Sequence, residues 1–232
     1  MKIQSLHRWN VDLGKAKLLQ HELCGKIELK RLDDPVRLIA GADVSYSYGT
    51  SSVYAAVVVM SYPEMAELEL VTAAGRVTFP YVSGYLSFRE APILLEAFAN
   101  IKISPDVVLF DGQGIAHPRG MGIASHMGLF LDVPTIGCAK TRLIGMHDTV
   151  PENRGAHVML KHNGSGIGAV LRTRTAVKPI FVSAGHKITL EEALEVTMKA
   201  TTRFRLPEPI RTAHRLSNQL RMLVNRIDLL ND

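Results

Sequence analysis

The chain has little of what a cross-linked or membrane-embedded protein needs. It carries only two cysteines, Cys24 and Cys138, too few for a disulfide framework and without the paired Cys/His spacing of a zinc site. A reduced, cytoplasmic protein is the expectation. No apolar core of signal-peptide length opens "MKIQSLHRWNVDLGKAK", and no later run approaches the length of a membrane-spanning helix. No membrane partner is expected. Internal repeats and low-complexity tracts are absent, and no Walker or dinucleotide signature accompanies the glycines, which argues against a phosphate-binding metabolic enzyme. Acid is the minority charge: 22 Asp and Glu face 27 Lys and Arg, a net +5. That balance suits a polyanionic partner, although many soluble proteins share it.

What is present is ordinary for a soluble globular protein: 47% hydrophobic and 21% charged residues. The length allows one large domain or two small ones. We read residues 1–232 as a single domain and expect a monomer.

Periodicity then orders the elements. "KAKLLQHELCGKIEL" spaces Leu18, Leu19, Leu23 and Ile27 at helical intervals, so a helix leads in. Three β-branched stretches follow, "VRLIAGADVSYS", "SVYAAVVVM" and "LELVTAAGRVTFPY", with short connections that favour antiparallel pairing. "SFREAPILLEAFANI" reads as a helix from near Ser87, and Asp106 to Phe110 as a short buried strand. "MGIASHMGLFLDV" looks helical and "PTIGCAKT" extended. "AHVMLKHNGSGIGAVLRT" reads as a hairpin turning at Asn163-Gly164, and two helices begin near Thr189 and Glu208. Three meandering strands, then helix, strand, helix, strand, describe an α/β fold. It is a mixed β-sheet flanked by helices, as in ribonuclease H-like folds, though other α/β folds share parts of it.

Two acids stand out in this order. Asp43 lies among apolar and small residues of the first strand, where an unpartnered charge costs several kcal/mol in the typical case. Asp111 ends a second buried strand, the place where α/β sheets usually put ligand sites. If those strands are neighbours, the carboxylates converge and need a proton or a cation between them; such oxygen ligands suit Mg²⁺ or Mn²⁺. Glu90, near the start of the intervening helix, is a third candidate, and a helix dipole alone also accounts for a Glu there. Lys140 at a strand end and His214 on a helix complete the set, each with a plainer reading as a snorkelling lysine and an exposed helical histidine. The glycines after Asp111 in "DGQG" fit either a tight strand-to-helix turn or a close backbone approach to a ligand.

Taken together, "GADVSYS", "PYVSGYLSFREAP", "DGQGIAHPRGMGIASHMG" and "PTIGCAKTRL", spanning about residues 41–145 and extended by "RTAHRLS", resemble the endonuclease V family of deoxyinosine-specific repair nucleases in order and spacing. The resemblance implies a ribonuclease H-like core and Mg²⁺-dependent hydrolysis of the second phosphodiester 3′ to deoxyinosine in DNA. It makes Asp43 and Asp111 metal-binding acids, Glu90 the third active-site acid, Lys140 the catalytic lysine and His214 the active-site histidine. Gly84, Leu86, Gly112, Gly114, Ile123 and Gly137 become walls of a pocket for an extruded hypoxanthine, whose O6 acceptor replaces the N6 donor of adenine and which lacks the N2 group of guanine. Pro80, Tyr81, Val82 and Ser83 match the strand-separating wedge, with Tyr81 expected to enter the duplex. Ser83 stands where a second proline is common, which makes the loop less rigid. Two rival expectations go with this reading: an inosine-specific endoribonuclease, and a protein that binds damaged bases without cutting.

Overall fold

The computed structural model describes the backbone of residues 1–231 and the side chains through residue 227. Its centre is an eight-stranded mixed sheet in the order β3-β2-β1-β4-β5-β8-β7-β6. The strands are β1 (Leu38–Tyr46), β2 (Ser52–Ser61), β3 (Glu67–Arg76), β4 (Val107–Phe110), β5 (Thr135–Ala139), β6 (His157–His162), β7 (Ser165–Leu171) and β8 (Ile180–His186). Strands β1 to β3 form the expected antiparallel meander, and β1, β4 and β5 run parallel to one another. The remaining pairs are antiparallel. The meander followed by parallel crossover strands is the ribonuclease H-like arrangement.

Helices α1 (Leu13–Cys24), α2 (Leu86–Ala99), α3 (Ile123–Leu131), α4 (Leu190–Lys199) and α5 (Glu208–Asn231) flank this sheet. One face packs on α2 and α3 through Ala91, Leu94, Phe98, Met127 and Phe130. The other packs on α4 and α5 through Ala193, Val196, Ile210 and Ala213. Helix α1 differs from its expected pattern: Leu19 and Leu23 are buried, whereas Leu18 is 64% exposed and Ile27 lies beyond the helix, which stops at Gly25. Strand β8 is not marked out by periodicity. It is buried along its whole length on both faces, so it shows no alternation.

One close approach fixes the helix that matters most for the site. A Cβ on Gly41 of β1 would fall 2.2 Å from the carbonyl carbon of Pro209. Only a glycine lets the start of α5 lie directly on β1. Among the described residues no helix is long and apolar enough to cross a membrane.

Candidate active site

The parallel pairing of β1 with β4 sets Ala42 opposite Phe110. Asp43, inside β1, and Asp111, just past the carboxyl end of β4, are therefore the next residues along adjacent strands and lie side by side. Side chains alternate along β1, so Asp43 and Ser45 face α5 while Tyr46 faces α2. On α2, Leu86, Glu90 and Leu94 follow a four-residue spacing that puts them on one face. Asp43, Glu90, Asp111, Lys140 and His214 line one cleft of about 280 Å³. The sequence-predicted acids, lysine and histidine are thus brought together.

Each acid has one oxygen held by a donor of this chain. Asp43, only 9% exposed, accepts from Ser217 Oγ (2.8 Å) and His214 Nδ1 (3.1 Å), both on Oδ2. Asp111 Oδ2 is paired with the Lys140 ammonium. Glu90 Oε1 accepts from the Tyr46 hydroxyl at 2.9 Å. Among the described residues no protein donor reaches Asp43 Oδ1, Asp111 Oδ1 or Glu90 Oε2. Burial raises the Asp43 carboxyl above its usual range, opposed by the Ser217 and His214 contacts and aided by the Asp111 charge. Glu90 keeps some residue surface, but its carboxyl is enclosed. Burial pushes it up to about 8, against the Tyr46 hydrogen bond and with the charges of Asp43 and Asp111.

This donor set fits a hard divalent cation. Burial holds two acids above their usual range, and each of the three acids lining this cleft keeps one carboxylate oxygen without a protein donor among the described residues. Among the described residues no three His, Cys, Asp or Glu side chains form a ready coordination shell. So open a set would leave part of a divalent ion's shell to water.

A second cleft, about 290 Å³, shares Asp111, Ile123 and Lys140 with the first and adds Tyr81, Leu86, Gly112, His117 and Arg142. A Cβ on Gly112 would lie 2.6 Å from Ile123 Cγ2, inside this space. The other three glycines expected as walls do not line it. A Cβ on Gly114 would strike the Ala184 carbonyl oxygen at 2.1 Å, and one on Gly137 the Gly114 nitrogen at 2.3 Å, so both serve backbone packing under the cleft. Gly84 is a turn residue with φ of +79°. Its carbonyl accepts from Gln20 Nε2 (3.0 Å), His117 Nε2 (2.9 Å) and Arg119 Nη2 (2.8 Å). His117 is neutral, pushed down to about 4 by burial; its Nδ1 accepts from the Arg119 and Met121 backbone N–H groups.

The segment expected to act as a wedge leads into that turn. Pro80, Tyr81 and Ser83 are exposed and Val82 is half-buried; Tyr81 is 77% exposed. The Tyr85 N–H closes the turn on the Val82 carbonyl at 3.0 Å. Ser83 therefore occupies the second turn position, where proline is favoured.

Several supporting residues are not legible in sequence. Ser217 and Tyr46 hold acids, Gln20 and His117 hold the turn, and Arg205 Nη2 donates to the Lys140 carbonyl at 2.8 Å. Tyr46, His117 and Ser217 lie inside the segments that carry the family resemblance, but nothing local tells which atom each one holds.

Fold and cleft together define a class: a ribonuclease H-like nuclease that hydrolyses phosphodiester bonds. Residues 21–215 match the family model described as Endonuclease V, and the chain belongs to that family. An endonuclease V from Roseiflexus castenholzii is 46% identical over 222 residues, covering 96% of this chain and 99% of its own. The crystal structure of the Bacillus subtilis endonuclease V matches with a TM-score of 0.92 at 34% identity, covering 97% and 99% of the two chains. The Ciona intestinalis endonuclease V, in complex with a 24mer DNA containing an inosine followed by a ribo-adenosine, matches with a TM-score of 0.81 at 30% identity over 91% and 98%. Family membership argues against a binding protein that does not cut.

Proposed function

We propose that the chain acts as one catalytic domain over residues 1–232, a cytoplasmic DNA repair endonuclease. Its substrate is deoxyinosine in DNA, and it hydrolyses the second phosphodiester bond 3′ to the lesion with Mg²⁺, or Mn²⁺ in its place. The observation that carries this reading is the pair of clefts with a common wall of Asp111, Ile123 and Lys140. One is lined by three acids; the other sets Leu86, Gly112 and Ile123 beside His117, Lys140 and Arg142, a mixed lining that suits an extruded base next to its phosphate.

Asp43, Glu90 and Asp111 would hold the cation, which lowers the pKa of an attacking water and offsets charge on the phosphate when bound. Lys140 adds positive charge at the phosphate oxygens, and its exposed end reaches the border of both clefts. His214, fixed through Nδ1 on Asp43, positions or deprotonates the water through its ring. Leu86, Gly112 and Ile123 enclose the flipped base and exclude water, while Tyr81 fills the gap in the duplex. Two free thiols accord with a reducing compartment.

The inosine-bearing DNA of the Ciona complex supports the substrate class, and its ribo-adenosine favours a second reading, incision of inosine-containing RNA. Matched DNA and RNA oligonucleotides, each with one inosine, distinguish the two. Faster single-turnover cleavage of the DNA, lost in EDTA, is expected. Preference for RNA would overturn the substrate, and full activity in EDTA the cation.

A further inference from the structure

We propose that Ser217 and Tyr46 are positioning residues of the acid cleft, each holding one carboxylate oxygen so that the other is presented to a divalent cation. The inference rests on the reading of this cleft as a cation site, and it goes beyond that reading by assigning work to two residues that touch neither cation nor substrate.

Ser217 is wholly buried on α5. Its hydroxyl donates to Asp43 Oδ2 at 2.8 Å, the same oxygen that faces His214 Nδ1 at 3.1 Å. Two donors on one oxygen fix the plane of the carboxylate and leave Oδ1 without a protein partner. Tyr46 repeats the arrangement from the opposite face of the sheet, with its hydroxyl 2.9 Å from Glu90 Oε1. The tyrosine ring is itself held by the Arg89 guanidinium, 4.7 Å from its centroid.

A buried carboxylate kept only for stability has its lone pairs filled or its charge matched, because enclosure without partners is costly. Here the filling stops at one oxygen in each acid, and the three acids line one cleft. The donors on Asp43 and Glu90 also include neutral hydroxyls. These orient a carboxylate without cancelling the charge that attracts a cation, whereas a lysine or arginine in the same place would do both. Outer partners of this kind commonly change metal affinity or activity 10–100-fold when removed.

The test is Mn²⁺ binding without nucleic acid, read from the loss of the free-ion electron paramagnetic resonance signal. It compares wild type, Ser217→Ala, Tyr46→Phe and Ser217→Thr, the last retaining a hydroxyl. The expected result is a dissociation constant raised about tenfold or more in Ser217→Ala and Tyr46→Phe and near wild type in Ser217→Thr. Cleavage of inosine DNA by the two weakened variants should approach the wild-type rate as Mg²⁺ is raised. Wild-type Mn²⁺ affinity in both variants would overturn the assignment, as would a rate loss that is the same at every Mg²⁺ concentration. Tyr46→Phe keeps the ring and its packing, so it tests the idea even if Ser217→Ala does not fold. Wild type that binds no Mn²⁺ would instead overturn the cation reading on which the assignment stands.

Discussion

Gly112→Ala should narrow the second cleft, with a cost readable from the geometry. The backbone at Gly112 is outside the left-handed region, so alanine meets no torsional penalty there. The new methyl would lie 2.6 Å from Ile123 Cγ2 and 3.9 Å from Leu86 Cδ2. Carbon atoms rest at about 3.5–4.0 Å, so the first contact is roughly 1 Å too short. Ile123 opens α3 and is β-branched, so its χ1 has little freedom to swing away. Its neighbour Ala124 is tied by its N–H to the Gln113 carbonyl at 3.0 Å, which resists a shift of the helix end. Overpacking of this type costs about 1–3 kcal/mol, equivalent to roughly 5–150-fold in an equilibrium constant. The assay is affinity for a single-inosine duplex in Ca²⁺, with thermal unfolding alongside to show where the cost falls. Gly112→Ala/Ile123→Ala removes the offending Cγ2 and should recover part of the loss, a favourable coupling above about 0.5 kcal/mol in the double-mutant cycle. Wild-type affinity together with wild-type stability in Gly112→Ala would refute the reasoning, and strict additivity would show that the loss has another source.

Asp43→Ala should abolish cleavage while leaving much of the inosine-DNA affinity, because the backbone and base contacts lie elsewhere; near wild-type single-turnover rates would contradict this. Tyr81→Ala should lose about 1–3 kcal/mol of stacking, more on duplex than on single-stranded substrate, and equal loss on both would make it a general contact. Ser83→Pro should stabilise the protein by about 0.4–1 kcal/mol by restricting the unfolded chain, seen as a higher unfolding midpoint. Glu90 predicts a pH effect of defined sign. With its folded value near 8 against an ordinary 4.5, the native chelated protein holds a proton that the unfolded chain has lost, so stability from Glu90 falls as pH rises across that window. His117 and His126, pushed down to about 4 and about 3 by burial, act oppositely: their contribution falls as pH drops below about 6.5. Unfolding in EDTA from pH 6.5 to 9 should therefore show a decline that Glu90→Gln removes.

Much of this molecule is legible locally. The meander of β1 to β3, an acid inside one apolar strand and another at the end of the next, and the later helices each have a period or a neighbouring turn that announces them. Strand β8 does not, because Ser183, Gly185 and His186 interrupt an apolar run that lies wholly inside. Those polar groups have partners only in the folded chain: Ser183 Oγ accepts from the Gly114 N–H at 2.9 Å, and His186 Nδ1 from the Glu28 N–H at 3.2 Å. The roles of the glycines were similarly hidden. A glycine needed for backbone packing and one needed for an open cleft look alike in sequence, and only the neighbours of the absent Cβ separate Gly114 and Gly137 from Gly112. The contacts of Tyr46 and Ser217 with the acids span 44 and 174 positions, beyond any local pattern.

The close seat of α5 on Gly41 also has a consequence for biosynthesis. His214 and Ser217 follow Asp43 by 171 and 174 residues. At roughly 5–20 residues per second, a ribosome needs on the order of ten to thirty seconds to pass from the acid to its partners. Once β4, which ends 67 residues after Asp43, has been made, β1 and β4 can pair while Asp43 still has neither donor and the cleft lacks one side. A nascent chain can thus assemble most of its sheet near nucleic acid before it has a finished cutting site, and the docking of α5 onto a bare patch of backbone completes it.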